Sequence, residues 1–248
     1  MRNYMIRRVG HSLFIVLGLM ALLFFAFNIL GDPAQLMVAP EAPQAVIDAL
    51  REHYGLDRPV HVRFADYYGS ILVGDFDNSL RHRLDARGMV LDRLPNTAAL
   101  AVAAWLLGSI GIPLGMLAAR RPRSILDRAV NIVSFAVISI PEFWLALMLI
   151  LIVAVRLELT PTSGFDGLGP GGWKFMILPA LALSPRVLGR TAQITRATMI
   201  EEMGKQYVST ARAKGLKEST VLYTHVLKNA AISIVTLLGD ELAAFMNG

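Results

Sequence analysis

The chain has 248 residues, of which 54% are hydrophobic and 17% charged, and its mean hydropathy is +0.51. This composition is too apolar for an ordinary soluble domain and predicts an integral membrane protein. Cysteine is absent, which excludes disulfides and thiolate chemistry, and the net charge of +5 lies beside apolar segments, so nucleic acid is not an expected partner.

The first predicted span is an apolar run from Val9 to Leu30, whose only ionisable group is His11. The run is long enough to cross a bilayer, which takes about 20 residues. Arg2, Arg7 and Arg8 precede it, so the N-terminus is expected in the cytoplasm. A cleaved signal peptide would have a shorter apolar region followed by small residues, and a retained signal anchor is therefore the preferred interpretation.

A mixed polar region over 31–96 follows and is expected outside the membrane. Within it, Pro43 to Leu50 and Val62 to Val73 have the apolar periodicity of two short amphipathic helices. Glycine and aspartate clusters predict turns around them. We therefore expect a small helical region between the first and second spans.

The second predicted span runs from Thr97 to Ala119 and contains no charged residue. Gly108, Gly111 and Gly115 recur within it at helical spacing, which favours close packing against another helix. The arginine-rich segment 120–128 follows, and the positive-inside rule places that loop in the cytoplasm.

The third predicted span, 129–155, is interrupted by Pro141, which removes a backbone hydrogen bond and should bend the helix. A fourth span is expected at about 175–196 and a fifth at about 230–248. The distribution of lysine and arginine among the loops agrees with alternating inside and outside segments. The predicted domains are the first span with its N-terminal segment (1–30), the extracytoplasmic region (31–96) and a membrane core (97–248).

The segment between the fourth and fifth spans, 201–228, is basic and has a glycine near its centre. Apolar residues recur at helical spacing on both sides of Gly215, which permits a turn of the backbone between them. Two short amphipathic helices joined by glycine, on the basic side of a membrane protein, predict a docking element for a soluble partner. The alternative is a solvated basic loop, which is what most charge runs are.

This segment resembles the cytoplasmic coupling loop of ABC-importer permeases. The matching spacing is that of residues 209–211 (STA), Gly215 and residues 225–227 (HVL), and the stretches YVSTARAKGL and HVLKNA are similar to the peptide/nickel branch. Ser209 stands where the loop usually has an acidic residue, and Lys228 where it usually has proline. Further similarity lies in GDPA, YGLDRPV and GDFDNS after the first span, and in SIPEFW within the third.

The resemblance implies an all-α, polytopic bundle of transmembrane helices that serves as a permease subunit, not an enzyme. The substrate would be a di- or oligopeptide, with nickel or another small solute as the alternative. The implied partners are a homologous second permease, two ATPase subunits, an external substrate-binding protein and the lipid bilayer. ATP and Mg²⁺ would be bound by the ATPases, and no cofactor by this chain. The expected location is the bacterial inner membrane, and because the family continues through a sixth span, the sequence is expected to be incomplete at its C-terminus.

In this family the coupling loop inserts into a cleft of the ATPase. Gly215 would be its pivot, and Ala211, Leu216 and Val221 would be contact residues. The full set of expected docking residues is Tyr207, Ala211, Arg212, Lys214, Gly215, Leu216, Val221 and His225.

Charged residues inside the predicted spans form a second candidate site. Charge within a membrane costs about 2.5–3.5 kcal/mol per residue on insertion scales, so it usually faces a cavity or a partner. We predict that these groups line the translocation path, pairing with each other when it is empty and with the charged termini of a peptide when it is occupied. The alternatives are a structural ion pair between the fourth and fifth helices, or snorkelling of Arg190 to the inner interface. The candidates for the path are Glu142, Arg186, Asp240 and Glu241.

The sequence contains no catalytic motif and no metal-binding motif, and its five histidines are scattered. An external energy source is therefore expected, which agrees with docking to an ATPase. A different class of function is an ion-gradient transporter, in which Glu142, Asp240 and Glu241 would carry protons. A third is a membrane scaffold without transport activity.

Overall fold

The computed structural model of the protein describes residues 2–36, 38, 42–76, 78–79, 84–165, 167, 169 and 171–247. Within those residues the fold is helical, with one isolated β-bridge between Asn78 and Asp85. The helices are α1 (Arg2–Leu30), α2 (Pro33–Leu36), α3 (Gln44–His53), α4 (Val60–Val73), α5 (Ala86–Gly108), α6 (Gly111–Arg120), α7 (Ile125–Ser139), α8 (Glu142–Leu149), α9 (Trp173–Met203), α10 (Gln206–Ala213), α11 (Glu218–Thr220) and α12 (Leu227–Asn247). Two π-helical segments, Ile150–Arg156 and Val221–Val226, follow α8 and α11. The predicted all-α class is confirmed.

The chain forms two compact units, residues 1–92 and 93–248. Their boundary falls inside α5, which runs from Ala86 to Gly108. This helix begins well before Thr97, the predicted start of the second span. Pro95 lies within the helix and does not end it.

The first unit is built on α1, whose apolar surface meets α4. The ring of Phe24 lies 5.3 Å from that of Phe64 and 5.4 Å from that of Tyr67, centroid to centroid. The Tyr68 hydroxyl donates to the backbone carbonyl of Leu17. Both short helices predicted for this region are present, as α3 and α4, with bounds shifted by a few residues.

In the second unit, α6 packs against α9 at very short range. A Cβ built on Gly111 would lie 2.3 Å from the carbonyl oxygen of Leu188, and one on Gly115 would lie 2.4 Å from that of Ala192. Real Cβ atoms do not approach backbone that closely, so only glycine allows this contact. The predicted packing face of small residues is confirmed.

The opposite end of the chain also packs on α9. Ala230, Ile234 and Leu238 of α12 are buried. The indole Nε1 of Trp105 donates to the carbonyl of Leu238 at 2.8 Å, which joins α5 to α12.

The predicted third span is broken more sharply than a proline kink. Helix α7 ends at Ser139, α8 begins at Glu142 after Pro141, and the two directions differ by 92°. Either a broken span or a re-entrant segment fits this geometry.

By length and composition, three helices of the described residues could cross a membrane, or four if the bent pair counts as one span. They are Asn3–Asn28, Ala86–Arg120 and Glu218–Asn247. The predicted fourth span corresponds to α9, whose 31 residues are long enough but include several arginines. The helix that contains the predicted fifth span begins before residue 230, because helical structure is continuous from Glu218.

Candidate functional site

The stretch from Gln206 to Val226, which we call the coupling element, folds as the glycine pattern predicts. Helix α10 ends at Ala213, and Gly215 adopts a φ of +75°, a left-handed conformation that side chains other than glycine rarely take. The backbone N–H of Gly215 donates to the backbone carbonyl of Arg212 at 2.9 Å, and α11 begins at Glu218. The chain therefore reverses at Gly215 between two helical turns.

An ion pair closes this turn. The Nε and Nη2 atoms of Arg212 donate to the two carboxylate oxygens of Glu218 at 3.1 and 2.7 Å. Two parallel hydrogen bonds fix the orientation of both side chains, which a single contact would not. The coupling element is thus held in its bent shape by the chain itself.

The buried and exposed sides of the coupling element are distinct. Val208, Ala211 and Val221 are buried against the rest of the unit. Leu216 is 40% exposed, and Lys214 and Lys217 on either side of it are exposed as well. The prediction of Ala211 and Val221 as contact residues therefore needs correction, since both face the interior of this chain, whereas Leu216 stays available.

A second polar network stands at the start of the coupling element, and the sequence analysis missed it. The Tyr207 hydroxyl donates to Glu202 at 2.7 Å, and the Lys205 ammonium pairs with the same carboxylate. The hydrogen bond from Lys205 lowers the pKa of Glu202. The pKa of Tyr207 is raised, mainly by burial and to a smaller extent by its hydrogen bond to Glu202. The spacing of Glu202 and Lys205, three residues apart, was the available signal.

His225 lies in the π-helical segment that connects α11 to α12, and it is half-buried. Its backbone carbonyl accepts from the Asn229 side chain at 2.9 Å. Short π-helical segments are rare and occur often at functional sites. This one sits where the coupling element meets the long helix α12.

Charged side chains meet in the second candidate site, where Arg186 joins three helices. Its Nε lies 3.0 Å from Oε1 of Glu142, and its Nη2 lies 3.4 Å from Oε2 of Glu241. Arg190 pairs with the other oxygen of Glu241. We call Glu142, Arg186, Arg190 and Glu241 the charge cluster; two positive and two negative groups balance.

Helix geometry explains how the charge cluster forms. Glu142 stands in the first turn of α8, immediately after the break at Pro141. Arg186 and Arg190 are four residues apart on α9 and therefore share one face. The Glu241 side chain of α12 is 1% exposed, so it depends on the two arginines for the stabilisation of its charge.

The structure distinguishes between the alternatives at two of these charges. Asp240 is exposed and makes no ion pair within the described part of the chain, because its neighbour Glu241 occupies the buried face. Arg190 does not reach away to an interface but pairs with Glu241. The guanidinium of Arg186 also lies 6.0 Å from the ring centre of Phe245, at cation–π distance.

A further buried ion pair ties α7 to α9 at the basic loop. Asp127 is buried and accepts from Arg196, with an Nη2 to Oδ2 distance of 2.9 Å, and from the backbone N–H of Arg123 at 2.8 Å. Asn131 donates to it at 3.0 Å. The sequence analysis did not single out this pair, since the two residues lie far apart along the chain.

In the described residues, histidine and the acidic side chains form no group of three that could hold a metal ion. The features that remain are the turn at Gly215 and a balanced charge cluster. Neither is an arrangement of a nucleophile with a base.

The sequence is similar to those of known transport proteins over its whole length. The model of the "Binding-protein-dependent transport system inner membrane component" matches residues 111–248, and that of the N-terminal part of such membrane components matches residues 1–101. The oligopeptide transport system permease protein AppB of Bacillus subtilis (strain 168) is 36% identical over all of this chain and 81% of its own length.

The glutathione transport system permease protein GsiC gives similar values. The protein from Escherichia coli (strain K12) is 34% identical over all of this chain and 80% of its own length, and that from Salmonella choleraesuis (strain SC-B67) is 33% identical with the same coverage. Family models and relatives together span both units. The chain is thus a multi-pass transport component rather than an enzyme, and it belongs to the family of inner membrane components of binding-protein-dependent transport systems.

Proposed function

We propose that the chain is one permease subunit of an ATP-driven importer of di- or oligopeptides. The observation that carries this proposal is its similarity over its whole length to permeases named for oligopeptide and glutathione transport. Both of those substrates are peptides with charged groups at their ends. The family favours this function over an ion-gradient transporter.

Three kinds of protein partner follow from this proposal. A homologous second permease would complete the membrane pore, and two ATPase subunits would bind ATP with Mg²⁺ on the cytoplasmic side. An external substrate-binding protein would deliver the peptide. A suitable contact for it is the polar groove of the first unit around His53 and Tyr67, which the predicted topology places on the extracytoplasmic side. The N-terminus would be cytoplasmic, because Arg7 and Arg8 stand at the start of α1.

The coupling element has the form expected of an ATPase contact. Its tip presents the apolar side chain of Leu216 between the ammonium groups of Lys214 and Lys217. A complementary cleft would offer an apolar depression with carboxylates at its rim, because opposite charges at a rim steer and orient association. The residues behind the tip, Val208 and Val221, are packed into the core and would pass its movement to α9 and α12.

The charge cluster suits a path that receives a zwitterion. Arg186 contacts both Glu142 and Glu241, so it can leave Glu142 and still keep a partner. A peptide ammonium could then meet Glu142 while its carboxylate meets Arg186. A substrate shifts the balance between the outward and inward states only if it binds them unequally.

The test is reconstitution of the chain with its second permease, ATPases and binding protein in proteoliposomes. We expect ATP-dependent uptake of a labelled dipeptide that continues when a protonophore removes the proton gradient. Uptake that follows the gradient and ignores ATP would instead identify an ion-coupled transporter.

Two variants separate assembly from translocation. Arg186→Ala should abolish uptake while the complex and its basal ATPase activity persist; loss of the complex would mean that Arg186 is a structural ion-pair residue. Gly215→Trp should release the ATPase on co-purification or uncouple its activity. An unchanged, fully coupled complex would contradict the docking role of the coupling element.

A further inference from the structure

A cavity of about 400 Å³ opens beside the charge cluster. Helix α8 and the π-helical segment after it form one wall, α9 forms another, and the loop at 161–164 closes the third side. The residues that shape it most are Phe143, Ala146, Ile150, Gly164, Phe175 and Leu178. Its volume falls within the roughly 300–1,000 Å³ typical of sites for small ligands.

The cavity is mostly apolar, and the polar side chains that line it are those of Glu142, Thr162 and Ser163. Among the described residues that line it, only Glu142 is charged, and its side chain is 44% exposed. The rest of the lining is aliphatic, aromatic or small. A carboxylate beside an apolar chamber is the arrangement that suits a ligand with a cationic group next to a hydrophobic one.

Lipid is a poor occupant for this chamber. An acyl chain would leave the Glu142 carboxylate facing hydrocarbon, which is costly for a charge. The same carboxylate lies 3.0 Å from the Arg186 guanidinium, so the cavity borders the charge cluster at Glu142.

We propose that this cavity receives the side chain of the N-terminal residue of the transported peptide, while Glu142 binds its ammonium group. The inference rests on the proposed function and adds to it a source of selectivity within the permease. Peptides with a large apolar first residue place that side chain in the chamber, and those that begin with glycine have no side chain to place there. The loop packs closely on α9 at one side of the chamber, because a Cβ added to Gly164 would lie 3.1 Å from the Phe175 ring.

The experiment compares uptake of Phe-Ala and Gly-Ala by the reconstituted importer, with the same binding protein throughout. The variant Ala146→Trp fills the chamber, and Leu147→Trp, at the next residue of the same helix and outside the lining, is the matched control. We expect the ratio of Phe-Ala to Gly-Ala uptake to fall about tenfold in Ala146→Trp, since full burial of an aromatic side chain is worth at least about one order of magnitude. The ratio in Leu147→Trp should equal that of the wild type.

A second variant enlarges the chamber and guards against a folding defect in the first. Phe143→Ala should raise uptake of Trp-Ala relative to Phe-Ala. Ratios that stay at wild-type values in Phe143→Ala overturn the subsite, whatever happens to Ala146→Trp. A wild-type importer that transports no peptide at all would instead refute the proposed function, so the two failures are distinguishable.

Discussion

Arg212 and Glu218 form a bidentate ion pair that spans the turn at Gly215. Both side chains are about half exposed, so the pair adds little to global stability, about 0.2–1 kcal/mol. Its effect is local, because it links the end of α10 to the start of α11. The turn is consequently fixed before any partner binds.

We first predict that Arg212→Glu lowers the ATPase activity coupled to transport, since two acidic groups then repel across the turn. The double variant Arg212→Glu/Glu218→Arg restores the pair in reverse and should recover most of that activity. The measurement is substrate-stimulated ATP hydrolysis in the reconstituted complex. A double variant as defective as the single one would show that Arg212 acts directly on the partner and does not shape the turn.

The backbone of Gly215 gives a second prediction. Space is open where a Cβ would stand, so Gly215→Ala adds no clash, only the cost of a left-handed conformation, about 1–2 kcal/mol. Asparagine tolerates that conformation better, and Gly215→Asn is the matched control. Affinity of the chain for its ATPase should fall several-fold in Gly215→Ala and less in Gly215→Asn; equal losses would point to side-chain bulk at the interface.

The depressed pKa of Glu202 predicts a pH dependence at the entrance to the coupling element. A carboxyl whose pKa is lowered on folding stabilises the folded state above its unfolded value, about 4.3, and loses that contribution as the pH falls through its lower folded value. Amide exchange around residues 204–208, corrected for intrinsic rates, should therefore rise in acid.

The matched variants for this third prediction are Glu202→Gln and Glu201→Gln. The first removes the charge that Lys205 binds, so the additional exchange in acid should disappear and the exchange at neutral pH should increase. Glu201 is exposed, and its variant should behave as the wild type. The same acid response in both variants would assign the effect to another group.

The close contact between α6 and α9 was predictable because a packing face of glycines is visible as a spacing in the sequence. The turn at Gly215 and the break at Pro141 were equally predictable, since each of these residues changes the backbone at its own position. Which of the two adjacent carboxylates, Asp240 or Glu241, is buried could not be predicted from the sequence. Neighbours on a helix point about 100° apart, and only the position of α9 decides which carboxylate is buried.

Long-range pairs were hidden for a related reason. Asp127 and Arg196 lie on different helices, and no local pattern links them before the fold brings α7 and α9 together. For Arg190 the sequence left snorkelling and an ion pair as alternatives, because its partner Glu241 is likewise distant in sequence. Periodicity identifies the helices of a membrane protein, but it does not supply their rotation about their own axes.

A fourth prediction concerns the glycines themselves. Gly111→Ala or Gly115→Ala places a methyl group against the α9 backbone, and we expect a loss of about 1–3 kcal/mol, the usual cost of overpacking. Gly239→Ala is the matched control, because nothing lies within 4 Å of its added Cβ. Thermal unfolding in detergent measures the difference, and equal midpoints for the three variants would contradict the close contact.

The last prediction separates two adjacent carboxylates. Glu241→Gln removes the negative charge that Arg190 and Arg186 share, and it leaves Arg190 without a charged partner among the described residues. We expect a loss of about 1–3 kcal/mol, below the roughly 3–5 kcal/mol of a fully buried pair, because both arginines remain partly exposed.

Asp240→Asn is the control for this change, since Asp240 is exposed and unpaired within the described chain. Its unfolding midpoint in detergent should match the wild type while that of Glu241→Gln falls. The reverse order would mean that Asp240, against a partner or the lipid, carries the interaction that the structure assigns to Glu241. The double variant Glu241→Gln/Arg190→Gln should recover part of the lost stability, because it also removes the arginine that Glu241→Gln leaves without a charged partner.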